Sequence, residues 1–176
     1  LPLGHVQVKV DNEHRILVRG NTHLGYLGDE PQADDWLDTG DLGDQDTEGF
    51  LTVNGRAKNL LITAYGRNVN PEWLESVFQT SDVLRSVVVF GDGEPALSAV
   101  LVAMPGACRS QVAAAVATLN EGLPDYARIA NWVLAGQPFS ADNGLATANG
   151  RPRREAIFQT YQAALSRTGH NQLAYF

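Results

Sequence analysis

At 176 residues the chain is long enough to bury a core of its own, as one domain or as a domain with a small appendage. Hydrophobic residues at 44% and charged residues at 19% argue against disorder, and a net charge of −7 argues against broad contact with nucleic acid, which needs a basic surface to displace counterions. No apolar run approaches the roughly 20 residues that a bilayer crossing requires, and the start carries no basic, apolar, small-residue signal pattern, so we expect no transmembrane segment and a cytoplasmic location.

The opening LPLGHVQVKV alternates Val6, Val8 and Val10 with polar partners, as a half-buried strand does. Asp11, Asn12 and Glu13 supply a turn and Arg15 to Val18 a second strand, which together read as a hairpin. A loop rich in Gly, Asp and Pro follows. Within WLDTGDLGDQDTEGFLTVNG, turn residues alternate with Phe50, Leu51 and Val53, predicting another hairpin with its tip near Gly49. The first 57 residues thus read as small and all-β. They offer little core alone, and we expect them to be the remnant of a larger β-subdomain.

From residue 58 onward the pattern becomes α+β, a small mixed sheet with flanking helices. Asn70 is placed to cap a helix whose first residue is Pro71, with Trp73, Leu74, Val77 and Phe78 on its inward face. Leu84 to Phe90 and Leu97 to Met104 read as strands joined through the turn residues Gly91 to Pro95. Ser110 is the expected cap of a second helix that buries Val112, Val116 and Leu119, and Ile129 to Leu134 is strand-like. Pro152 suits the first turn of a last helix with Ile157, Phe158, Tyr161, Ala164 and Leu165 along one stripe.

Several chemical readings fail on spacing. Asp44, Asp46, Glu48 and Gly49 resemble the start of an EF-hand loop, but Gly55 falls where a bidentate Glu is required. His5, His14, His23 and His170 form no i, i+4 pair and have no cysteine partner, so no metal site is expected. The single Cys108 reads as a packed or partly exposed thiol, and neither G-x-x-x-x-G-K-[ST] nor G-x-G-x-x-G occurs.

What remains is an ordered series: Thr39, Gly40 and Asp41; Gly55 and Arg56; Lys58; Gly66, Asn68 and Val69; and NGLATANGRPRR from Asn143 to Arg154. In order and spacing it resembles the adenylate-forming superfamily of acyl-CoA synthetases, luciferases and peptide-synthetase adenylation domains, and within it the long-chain fatty acyl-CoA synthetases, whose last motif reads NGLLTPTLK. The resemblance implies an ATP-dependent ligase that joins a fatty acid to AMP and then transfers the acyl group to CoA. It implies Mg with the ATP, held mainly by upstream parts together with the phosphate loop and adenine pocket. The rest of an N-terminal domain is then a partner, the chain alone is not expected to turn over, and a carrier protein is an alternative acceptor.

Residue by residue, the resemblance makes Asp41 the acceptor for the ATP ribose hydroxyls and Arg56 a contact to nucleotide ribose or phosphate. Both chemistries fit: a vicinal diol needs a fixed acceptor, and a planar permanent cation suits phosphate. Lys58 occupies the hinge position between the two domains, and Gly66 with Arg67 the loop that lines the pantetheine tunnel for CoA. Arg151 stands where the family carries a catalytic lysine bridging substrate carboxylate and ATP phosphate. The exchange keeps charge and changes shape, since a guanidinium is a wide fork rather than a point donor. A noncatalytic homologue is the competing expectation, with Arg151 marking a lost site.

Overall fold

The computed structural model describes residues 4–20 and 36–172, with side chains to residue 166. The chain divides into two compact units, Leu1–Leu60 and Leu61–Phe176. The Gly-, Asp- and Pro-rich loop expected after the first hairpin, with His23, lies outside the described residues, as does the side chain of His170.

The first unit is an antiparallel sheet in the order β1 (Val6–Val10), β2 (Arg15–Gly20), β3 (Leu37–Gln45) and β4 (Leu51–Arg56). The turn between β1 and β2 closes because the Asp11 Oδ1 accepts from the Glu13 and Arg15 N–H groups at 2.9 and 2.8 Å. Between β3 and β4 the Asp46 Oδ1 accepts from Glu48 and Phe50 in the same manner. Asp44 is meanwhile engaged by His14 at 2.7 Å and Asn54 at 2.7 Å. The Asp44 and Asp46 carboxylates of the apparent EF-hand are therefore occupied with hairpin geometry. A 3₁₀ turn, Ala57–Asn59, ends the unit.

The second unit is built on a three-stranded mixed sheet. Its strands β7 (Leu84–Phe90) and β8 (Leu97–Ala103) are antiparallel, and β9 (Ile129–Leu134) lies parallel to β8 on the other side. Helix α2 (Arg109–Glu121) lies in the connection that the parallel pairing demands. Both faces are covered, which is why Val87 to Val89 and Ala99 to Val102 are continuous apolar runs rather than alternating ones. Val87, Val89, Leu97, Ala99 and Leu101 belong to one core with Leu74 and Phe78 of α1 (Pro71–Phe78) and Val112 and Val116 of α2. Val88, Phe90 and Val100 belong to another with Leu145 and with Ile157 and Leu165 of α3 (Arg154–Gln172). A short hairpin, β5 (Leu61–Ile62) and β6 (Asn68–Val69), precedes α1. The unit is α+β, as the sequence predicts. Among the described residues no helix is long and apolar enough to cross a membrane.

Three local expectations are corrected. Asn70 caps α1 by accepting from Trp73 N at 3.1 Å, but the Trp73 ring is exposed. Leu74 and Phe78, one turn apart, centre the buried stripe, and Trp73 falls on its solvent edge. The cap of helix α2 lies two residues before the expected one: Cys108 takes that place, and its N–H donates to Gln111 Oε1 at 2.8 Å. Pro152 is not helical. It bridges to Ala146, and the Arg153 N–H bonds to Leu145 O at 2.8 Å, so the chain is still in the hairpin at these residues and α3 begins only at Arg154.

Candidate active site

In the first unit, the register between β2 and β3 runs from Leu17 opposite Asp38 to Arg15 opposite Leu42. Thr39, Gly40 and Asp41 therefore bulge outward opposite Ile16. Three bonds fix the bulge: Thr39 Oγ1 donates to Ile16 O at 2.9 Å, Asp41 N to Thr39 Oγ1 at 3.1 Å, and Gly40 N to Asp38 Oδ1 at 2.8 Å. Gly40 has φ 72, a left-handed conformation that a side chain strains. The other oxygen of Asp38 accepts from Arg15 Nη1 at 2.9 Å. The Gly40 N–H first, and Arg15 after it, hold the Asp38 carboxyl below its ordinary pKa.

Asp41 and Arg56, distant in sequence, are direct cross-strand neighbours on β3 and β4. The Arg56 Nε lies 2.9 Å from Asp41 Oδ1, and Arg56 Nη1 donates to Thr39 O at 3.3 Å. The two residues expected at a nucleotide are thus brought together, with the guanidinium half exposed and the carboxylate less so. An open groove of about 420 Å³ beside them is lined by Arg15, Gly40, Arg56, Ala57 and Lys58. Lys58 is exposed on the 3₁₀ turn, just before the division between the two units.

In the second unit, Gly66 sits at the tip of the β5–β6 hairpin. Its N–H donates to Thr63 O at 2.8 Å, and Arg67 N donates to Thr63 Oγ1 at 3.2 Å. Nothing lies within 4 Å of the place a Gly66 Cβ would occupy, so within this unit glycine is needed for its φ of 72 rather than for space. The hairpin is tied to the β7–β8 turn by Gly93 N to Ile62 O at 2.8 Å, Ala64 N to Glu94 O at 2.9 Å and Ile62 N to Asp92 Oδ1 at 2.9 Å. The Arg67 guanidinium stands 5.8 Å above the Tyr126 ring.

Arg151 lies on a tight turn within the hairpin formed by residues 145–153. Thr147 N donates to Arg151 O at 2.8 Å, Arg151 N to Thr147 Oγ1 at 3.1 Å, and Gly150 N to Thr147 O at 2.8 Å. The backbone of Arg151 is thus fixed while its side chain is exposed, with no partner among the described residues.

Arg153 is also exposed, but Arg154 is not simply part of a solvated basic face. Its Nη2 lies 2.8 Å from Glu75 Oε1, and its Nη1 donates to Val89 O at 2.6 Å. Glu75 is only 14% exposed, and this burial pushes its carboxyl pKa up despite the opposing pull of Arg154. Glu75 belongs to none of the sequence motifs. The available signal was an acid adjoining the buried Leu74, paired with an arginine at a helix start where a cation is disfavoured.

Cys108 is exposed, and its thiol lies below its ordinary pKa, chiefly through the Ser110 hydroxyl 3.0 Å away. Among the described residues no three His, Cys, Asp or Glu side chains gather as metal ligands.

The model of the AMP-binding enzyme C-terminal domain matches residues 58–170. The long-chain-fatty-acid–CoA ligase FadD15 of Mycobacterium tuberculosis is 35% identical over 112 residues, covering 60% of this chain and 19% of that protein. The indoleacetate–CoA ligase of Aromatoleum aromaticum is 34% identical over 164 residues, covering 89% of this chain and 31% of that protein. Among solved structures, the adenylation domain of the carboxylic acid reductase from Segniliparus rugosus, in complex with AMP and a carboxylic acid, superimposes with a TM-score of 0.76. It is 19% identical and covers 98% of this chain and 32% of that one, so it shows a shared fold. The chain spans well under half the length of each of these proteins. With the family model matching more than half of its length, this chain belongs to the AMP-binding enzymes, of which residues 58–170 are the C-terminal domain.

Proposed function

We propose that this chain is the C-terminal part of an ATP-dependent, AMP-forming acyl-CoA synthetase that activates a medium- or long-chain fatty acid. The observation that carries the reading is the cross-strand contact of Asp41 with Arg56, which sets a carboxylate acceptor on the β3 bulge beside a permanent cation on β4. In the first half-reaction a carboxylate oxygen of the fatty acid attacks the α-phosphorus of ATP and pyrophosphate leaves. In the second, the thiol sulfur of CoA attacks the acyl carbon, loses its proton, and AMP leaves.

In this reading Asp41 accepts from the two ribose hydroxyls and Arg56 contacts ribose or phosphate. Arg151, with its backbone held and its guanidinium unengaged among the described residues, stabilises the negative charge that develops between carboxylate and phosphate. Gly66 and Arg67 line the approach of CoA, and Lys58 is the pivot between the half-reactions. Mg²⁺ accompanies ATP. The described residues offer no carboxylate cluster to hold it, and no step assigned to this chain passes through it. The chain alone is expected not to turn over, because ATP phosphates and the acyl tail need sites outside it.

The test is ATP–pyrophosphate exchange by the complete protein across a series of fatty acids. Exchange that depends on the carboxylate is the expected result. Its absence at every chain length would leave a noncatalytic homologue. Where exchange occurs, a parallel assay with free CoA and with a phosphopantetheine carrier identifies the acceptor: CoA thioester is expected, and product on the carrier alone would replace CoA in the proposal.

A further inference from the structure

We infer that Glu75 is a positioning residue for Arg151: through Arg154 it ties the hairpin of residues 145–153 to the edge of the sheet and so fixes where the Arg151 guanidinium is presented. The inference rests on the catalytic reading of Arg151 given above, and it arises from three features of the second unit.

The first is the clamp itself. Strand β7 is an edge of the three-stranded sheet, so one side of it has main-chain groups that no strand satisfies. At Val89 side chains take both roles: the N–H donates to Glu75 Oε1 at 2.8 Å and the carbonyl accepts from Arg154 Nη1 at 2.6 Å. Arg154 Nη2 then closes the ring onto the same Glu75 oxygen at 2.8 Å. Three elements, α1, β7 and α3, meet in charge-assisted bonds at one residue, and both side chains are largely withdrawn from water.

The second is the lack of slack between Arg154 and Arg151. The Arg153 N–H is bonded to Leu145 O, Ala146 bridges to Pro152, and Thr147 is bonded to Arg151 in both directions. Leu145 at one end of the hairpin and Ile157 just beyond the other are buried in the same core. Fixing Arg154 therefore fixes the hairpin.

The third is the placement of Arg154 as the first residue of α3, where a cation opposes the helix dipole. A residue used only to stabilise α3 would be better placed at the other end.

The test uses the complete enzyme. Glu75→Gln keeps an oxygen for the Val89 N–H and removes the charge that holds Arg154. Arg154→Lys, a gentler variant, keeps the charge but replaces the two-nitrogen fork with a single point donor. Each is measured for adenylation kcat and KM, for thioester formation from supplied acyl-adenylate, and for amide hydrogen exchange at Thr147, Arg151 and Arg153. Expected are faster exchange in the hairpin and a fall in adenylation kcat on the order of 10- to 100-fold, the cost of a small misplacement of a catalytic group. Thioester formation is expected to stay within about twofold, and adding Glu75→Gln to Arg151→Ala to give little further loss. Unchanged hairpin exchange, or a loss that multiplies fully with that of Arg151→Ala, overturns the inference. A loosened hairpin with adenylation unaffected in Arg151→Ala itself would instead overturn the catalytic reading beneath it and, with it, the positioning role.

Discussion

Replacing Asp41 with alanine separates a binding role from a structural one, because the two differ in size. Asp41 and Arg56 form an ion pair at 2.9 Å with side chains 30% and 52% exposed, and a pair so open to water contributes about 0–1 kcal/mol to stability. The bulge does not depend on the Asp41 carboxylate, since its bonds come from Thr39, Asp38 and the Asp41 N–H. A carboxylate accepting from a ribose diol makes hydrogen bonds worth about 1.5–3 kcal/mol each when one partner is charged. Losing one such bond weakens ATP binding about 10- to 150-fold. Asp41→Ala in the complete protein, which removes both bonds, should therefore melt close to the parent while its Kd for ATP, measured by calorimetry, rises by at least that factor. The sharper comparison uses 2′,3′-dideoxy-ATP: the analogue should bind the parent much more weakly than ATP does, and the variant nearly as well as ATP does. If the variant discriminates between the two nucleotides as strongly as the parent, Asp41 does not read the diol.

Lys58→Pro constrains the backbone at the proposed pivot, and it should abolish one half-reaction while sparing the other; equal loss of both, measured separately, would remove the hinge role. Phe78→Ala empties a fully buried site between α1 and the sheet and should cost about 3–5 kcal/mol in urea unfolding of the second unit, with a cost under 1 kcal/mol contradicting the described core. Glu75 has a raised folded-state pKa, so in the pH window above the ordinary carboxylate value the folded state keeps a proton that the unfolded chain has released. Stability should consequently fall as pH rises through that window, and Glu75→Gln should remove this fall; superimposable pH profiles for parent and variant would show that burial does not govern this carboxyl.

The fold was legible wherever local chemistry and tertiary packing agree. The two hairpins of the first unit announce themselves through Asp11 and Asp46, because these carboxylates bond to main chain only a few residues away. The Asn70–Pro71 helix start is equally local. Trp73 was misjudged because apolar spacing marks a stripe but not its edges, which depend on what Leu74 and Phe78 pack against. The cap of α2 was misplaced for a related reason: Ser110 is a better capping residue by type than Cys108, but the Met104–Ala107 turn and the Gln111 side chain decide where the helix begins. Pro152 likewise suits a helix start in isolation, and the closure of the hairpin on Leu145 overrides it.

Of the candidate site, Asp41, Arg56, Lys58, Gly66, Arg67 and Arg151 could be named from motif order. The contact of Asp41 with Arg56 could not, because it depends on the register of β3 with β4. Glu75 and Arg154 were hidden more deeply. They sit on different helices, and only the path of β7 between them makes Val89 their common partner.

The proposed activity requires Arg151 to supply the positive charge for adenylation in place of a lysine. Single-turnover kinetics of Arg151→Ala in the complete enzyme, following acyl-adenylate formation from ATP and fatty acid alongside thioester formation from supplied acyl-adenylate, test it most directly. Adenylation is expected to slow by about 100-fold or more, the scale of losing one charge-stabilising group, while the thioester step stays within a few-fold of the parent. Adenylation at the parent rate in the variant would contradict it.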